Sequence, residues 1–122
     1  MTHTPMLKRW FAAMDSDRPE DVLGMITDDF QLSVLFSGGP GGPVTDFSGD
    51  REALVHYLDQ RLKDVRRHVV LSGSRTSEDE HVLGEVSREG EWEASFVAVA
   101  RVTPEGRVRR LLIGRSPGTR FT

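Results

Sequence analysis

The chain reads as an α+β fold, and three observations predict it. Apolar residues recur at helical spacing only in the first half, while those of the second half alternate with the period of a strand. The order is two helices, a strand, a longer helix and then a run of antiparallel strands, which excludes βαβ winding. The hairpin from Glu91 to Gly114 holds the longest strand and the clearest turn. Trp92, Ala94, Phe96, Ala98, Ala100 and Val102 alternate onto one face of it, with Glu93, Ser95, Val97, Val99 and Arg101 on the other. A straight strand of about 13 residues would run roughly 40 Å, against a radius of gyration near ~14 Å for a domain of this length, so it must curve around a helix.

Thr4 before Pro5 reads as an N-cap, and Met6, Leu7, Trp10, Phe11 and Met14 form the apolar side of a first helix ending near Asp15. Asp17 and Glu20 have the spacing of a capping box for a short second helix carrying Val22, Leu23, Met25 and Ile26, stopped by Thr27-Asp28-Asp29. Phe30, Leu32, Val34 and Phe36 then alternate in a first strand. The Gly/Pro-rich segment from Ser37 to Pro43 is neither helix nor inner strand. It does not open into a helix and carries no Lys-Ser/Thr pair, so it reads as a surface loop or a flap rather than a phosphate loop. Ser48 is the expected cap of the long helix, with Leu54, Leu58, Leu62 and Val65 as its buried stripe, Val55 and Tyr57 beside them, and Lys63, Arg66 and Arg67 at its end. His68 to Thr76 and His81 to Ser87 are the next strands, and Thr103-Pro104-Glu105-Gly106 turns the last hairpin.

Composition narrows the function classes. Residues 1–122 read as one domain, with 16 Lys+Arg against 19 Asp+Glu and a net charge of -3, which argues against a nucleic-acid-binding domain. Arg107, Arg109, Arg110, Arg115 and Arg120 are the local exception and read as a solvated strand edge and tail. There is no cysteine, hence no disulfide, thiol nucleophile or thiolate metal site. His3, His56, His68 and His81 lack metal-ligand spacing, so no metal or other cofactor is expected. No G-x-S-x-G frame is present. Apolar runs are only a few residues long and MTHTPMLKRW has no signal-peptide core, so the expectation is a cytoplasmic protein with no membrane partner.

In this layout, with MITDDF entering the first strand, FSGDREALVHYL entering the long helix, RRHVVLSGSRT opening the strand meander and TPEGRV closing the last hairpin, the chain resembles the nuclear transport factor 2 superfamily, in its SnoaL-like branch of small bacterial proteins. The resemblance implies a cone-shaped, curved antiparallel sheet wrapped around the long helix, an apolar pocket, and a homodimer through the outer sheet face. Val97 and Val99, with either Leu111 and Ile113 or Leu112, supply apolar side chains for that outer face. The walls expected for the pocket are Trp10, Met14, Phe30, Val34, Phe36 and Tyr57 from the first half. Trp92, Ala94, Phe96, Ala98 and Leu112 are expected from the second.

The chemistry known in that superfamily does not map onto these positions. Ketosteroid isomerase resembles the layout and uses a carboxylate base near the end of the first strand, with a Tyr and a protonated Asp as donors. Here Val34-Leu35-Phe36-Ser37, Trp10-Phe11 and Ser95 to Ala100 hold neither acid nor Tyr. SnoaL-type cyclases resemble it too and use a carboxylate with a His on the later strands, where this chain has Ala94, Phe96, Ala98, Ala100, Leu112 and Gly114. His68 is the one candidate acid-base group, provided that its face, shared by alternation with Val70 and Ser72, is the concave one. His56 reads as solvated, Tyr57 as core, Asp29 as a helix terminator, Trp92 as core, and Glu93 and Arg115 as ion-paired near sheet ends. The resulting expectation is a small, largely apolar molecule bound in a conical pocket without a recognisable catalytic set. Its rivals are a cyclase, isomerase or dehydratase using His68, and a protein-interaction module with a vestigial pocket.

Overall fold

Alternation in the second half produces the sheet that carries everything else. The computed structural model describes residues 3–37, 44–60 and 66–122. Its strands are β1 (Ile26–Ser37), β2 (Val44–Asp50), β3 (Arg66–Thr76), β4 (Asp79–Arg88), β5 (Glu91–Val102) and β6 (Val108–Ser116), in one sheet of order β2-β1-β6-β5-β4-β3. All neighbours are antiparallel except β1 and β6, which run parallel, so the sheet is mixed rather than purely antiparallel. The register slips in the β1/β6, β3/β4, β4/β5 and β5/β6 pairings. Each slip bends the ladder, which is how long strands close around a core.

Helices α1 (Pro5–Met14) and α2 (Arg51–Gln60) cover the concave face, α1 against β3, β4 and β5, α2 against β1 and β2. Leu7, Trp10, Phe11, Val22, Ile26, Phe30, Leu54, Phe96 and Val108 are buried between helices and sheet. The pattern is α+β, as the sequence predicts, but several local readings change. Val44–Asp50 is a strand, and it takes in Ser48, the expected cap of the long helix. The second helix is a 3₁₀ helix over Pro19–Met25 with Arg18 at its N-cap and no side-chain cap, so the Asp17/Glu20 capping box does not form. Thr27-Asp28-Asp29 lies inside β1, at the register slip between Ile26 and Gln31.

Capping also differs from expectation, for reasons of geometry. Thr4 occupies the N-cap position of α1 but makes no side-chain cap bond. The fully buried Glu80 of β4 does so instead, accepting the backbone N–H groups of Met6 at 3.2 Å and Leu7 at 2.9 Å. A carboxylate there satisfies two otherwise orphaned donors and faces the positive end of the helix dipole. For α2, the Oδ1 of Asp50 accepts the N–H of Ala53 at 3.0 Å, while Ser48 instead pairs its hydroxyl with that of Ser33 at 3.2 Å. Leu62, Lys63 and Val65 lie outside the described residues, and Arg66 and Arg67 begin β3 rather than ending a helix. The turn after β5 closes by a bond from Gly106 N–H to the Thr103 carbonyl at 2.9 Å, with Gly106 itself at φ 81°, a conformation that favours glycine.

Candidate functional site

A cavity of about 300 Å³ opens on the concave side of the sheet, between α1 and α2. Its walls are built by alternation. Leu32, Val34 and Phe36 come from β1, Ile113 and Arg115 from β6, Phe96 from β5, and Arg66 and His68 from β3. Trp10, Phe11 and Met14 of α1, Phe47 of β2, and Leu54 and Tyr57 of α2 close it. Helical spacing sets the α1 trio, since positions 10, 11 and 14 share one face.

Of the residues read from the sequence, Trp10, Met14, Val34, Phe36, Tyr57, Phe96 and His68 therefore meet around one space. Phe30 does not line it. Fully buried, it stacks under Trp10 with ring centroids 5.9 Å apart and backs that wall. Ala94 and Ala98 are buried on the same face without reaching the cavity. Trp92 leaves the face altogether, because Val86 pairs with Ala94 while Ser87 pairs with Trp92, making Glu93 the extra residue of a bulge. Its ring instead lies under the Arg120 guanidinium, 5.6 Å from the ring centroid. Leu112 is 56% exposed on the outer face, since Leu111 and Ile113 take the inward positions.

His68 faces inward together with Val70, but the register slip at Leu71 takes Ser72 off that alternation. The ring stacks on Phe11 at 4.9 Å and meets Phe96 edge-on at 5.5 Å. Its Nδ1 lies 2.8 Å from Asp15 Oδ1, and its backbone N–H donates to Asp15 Oδ2 at 2.6 Å. An ionised carboxylate only accepts, so the hydrogen between them sits on Nδ1, and it is in the neutral ring that Nε2 is the acceptor. Asp15 is the C-cap residue of α1, 53 positions away in sequence. Nothing local in the sequence marks it as the partner of His68.

A second polar group sits at the ends of three strands. Arg66 Nε donates to both Glu93 oxygens, at 3.0 and 3.3 Å, and an Arg115 terminal nitrogen lies 3.3 Å from Oε1. The Arg115 guanidinium also covers the Phe36 ring at 4.2 Å. The β5 bulge that turns Trp92 outward is what brings Glu93 to these two arginines. Leu32 and Ile113 are wall residues that alternation could have supplied. Phe47 and Leu54 needed β2 and the seating of α2, and Arg66 was hidden by its assignment to a helix end.

The outer face presents a different chemistry. Leu83, Val97, Gly114 and Leu35 stand in one row across the strands, and His81, Val99, Leu112 and Ser33 in the next. Asp79 and Arg101 flank them with two hydrogen bonds of 2.9 and 3.1 Å. Those bonds, and then the charges of Arg101 and His81, hold the Asp79 carboxyl below its usual range. Asp29 is likewise lowered, first by the Thr27 hydroxyl and then by Arg109 and Arg110. No helix among the described residues is long and apolar enough to cross a membrane.

No protein-family model matches the chain, and no curated protein matches its sequence. Solved structures do match its fold. A proposed isomerase of the SnoaL-like family from Agrobacterium tumefaciens superimposes with a TM-score of 0.67 at 15% identity, over 93% of this chain and 97% of that one. A proposed SnoaL-like polyketide cyclase from Jannaschia sp. CCS1 gives 0.63 at 13% identity, over 93% and 85%. A de novo designed protein with a curved β-sheet gives 0.65 at 17% identity, over 96% and 89%, so the fold alone carries no activity. The curved mixed sheet with its helices on the concave side is the nuclear transport factor 2-like fold, in the form that SnoaL-like proteins share.

Proposed function

We propose that this chain binds a small, largely apolar molecule in the cavity between α1, α2 and the sheet. The observation that carries the reading is the wall itself: among the described residues, ten apolar side chains line about 300 Å³, with Tyr57, His68, Arg66 and Arg115 as the polar members. Small-molecule sites have this composition, apolar surface for affinity and a few placed polar groups for orientation. A neutral naphthalene dye whose emission rises in apolar surroundings tests it. One dye per chain should bind, and Val34→Trp, which fills the cavity, should abolish binding while the circular dichroism stays unchanged. Absence of binding to the unmodified chain would overturn the reading.

A second reading is favoured by one specific contact, the Asp15–His68 hydrogen bond. An imidazole held by a carboxylate, with Nε2 as acceptor, is a general base in waiting for an isomerase, cyclase or dehydratase step. His68→Ala should then abolish turnover on a panel of enolisable ketones and β-hydroxy carbonyl compounds. Unchanged turnover on any substrate so found would exclude His68 from that role. We also propose that the outer sheet face pairs two copies of the chain.

A further inference from the structure

We propose that the molecule bound in the cavity carries a hydroxyl group, a phenol, enol or alcohol on a compact apolar body, and that this hydroxyl donates to Nε2 of His68. The inference rests on the binding reading above and adds the chemical class of the ligand.

His68 is a wall residue whose ring is fixed from several sides. Asp15 holds it twice, accepting the backbone N–H on Oδ2 at 2.6 Å and facing Nδ1 with Oδ1 at 2.8 Å. Phe11 stacks on the ring at 4.9 Å, and Phe96 meets it edge-on at 5.5 Å. Turning the ring over would set a carbon against the carboxylate, so Nδ1 stays on Asp15. Nε2 is then the ring nitrogen left for an occupant, and it takes no hydrogen bond among the described residues.

The His68 side chain is only 15% exposed. An apolar occupant that covers the remainder strips Nε2 of water and leaves an unsatisfied acceptor, which penalises any ligand without a donor. A hydroxyl supplies the donor without carrying a charge into an apolar wall, where an ammonium group would lose its hydration. The Phe11 and Phe96 rings packed on His68, with Trp10 also in the wall, suit a flat body.

Asp15 is a positioning residue in this scheme. As a carboxylate it only accepts, which keeps the hydrogen of the neutral ring on Nδ1 and the lone pair on Nε2. With an amide at this position, the His68 backbone N–H would hold the amide oxygen and the amide nitrogen would donate to Nδ1. The ring hydrogen then moves to Nε2, and the acceptor becomes a donor.

Equilibrium dialysis at about pH 8, above the ordinary imidazole range, tests the proposal with 2-naphthol, the similarly sized 2-methylnaphthalene, and 2-acetylnaphthalene, which only accepts. The parent chain should bind 2-naphthol about tenfold tighter than 2-methylnaphthalene, the factor that one hydrogen bond makes in a dry site. His68→Phe should bring that ratio to about one. Asp15→Asn should reverse the choice, losing the naphthol preference and binding 2-acetylnaphthalene about tenfold tighter than the parent does. A merely structural role for Asp15 would weaken all the probes alike. Long-range nitrogen–proton NMR spectra should place the ring hydrogen on Nδ1 in the parent and on Nε2 in Asp15→Asn. Equal affinities of the parent for 2-naphthol and 2-methylnaphthalene, or a hydrogen on Nε2 of the parent ring, would overturn the hydroxyl proposal and leave the cavity reading standing. Binding of no probe by the parent would overturn both.

Discussion

The carboxylate of Glu80 accepts the backbone N–H of Leu7 at 2.9 Å, tying β4 to the first turn of α1 across 73 residues. Glu80 is fully buried and accepts Met6 N–H as well, so its removal strands two donors inside the protein. Glu80→Ala should cost about 2–4 kcal/mol in urea unfolding, the penalty of unsatisfied buried groups and a lost cap. Glu80→Gln, which keeps an acceptor oxygen, should cost less than the Ala variant.

Gly84 lies directly beneath the Phe96 ring. A Cβ there would overlap the ring at Cζ and come within 2.6 Å of the Val69 carbonyl oxygen. Backbone of the neighbouring strand cannot yield as a side chain can. Gly84→Ala should therefore destabilise the chain by about 1–3 kcal/mol, the usual cost of overpacking. The Phe96 and His68 ring resonances should move together in NMR spectra, since the two rings meet edge-on.

Val97 and Leu112 are 57% and 56% exposed on adjacent strands, beside the partly covered Val99. If two copies pair through these rows, Val97→Glu with Leu112→Glu places like charges in the interface. Sedimentation should show a dimer for the unmodified chain and a dissociation constant raised about a hundredfold or more in the double variant. A monomeric parent chain would refute the pairing.

The depressed carboxyl of Asp79 makes a signed prediction about acid stability. Because its folded-state value lies below the unfolded one, the stabilisation is complete above the unfolded carboxylate range, near pH ~4, and fades as the pH falls through the folded value. Asp79→Asn should be less stable than the parent at neutral pH, and the two curves should converge below about pH 4. Unfolding measured from pH 7 downward reads the difference.

What could be read in advance was whatever obeys a local period. Phe30, Leu32, Val34 and Phe36 declare β1, and Trp10, Phe11 and Met14 declare the inner face of α1, because side-chain direction follows spacing. The misplacements came where one inserted residue shifts the count. The bulge at Glu93 sends Trp92 outward and Glu93 toward two arginines, and a one-residue ambiguity put Leu112 in place of Ile113. Asp15 with His68 and Glu80 with Leu7 are joined over 53 and 73 positions, and no periodicity encodes such meetings. His68 could be singled out by its chemistry, but its partner could not.

Tethering at both ends makes α1 a strut. Glu80 grips its first turn from β4, and β3 grips Asp15 at its last through the His68 backbone and ring. By contrast α2 leans on β1, β2 and the 3₁₀ helix, with Arg51 reaching the Leu23 carbonyl at 3.0 Å. Among the described residues no comparable pair of side-chain clamps holds both ends of α2, so any widening of the cavity is expected to fall to α2 rather than to α1. Amide exchange should be slower in α1 than in α2, with the aromatic shelf of Trp10 and Phe11 holding its shape while the Leu54 and Tyr57 side swings.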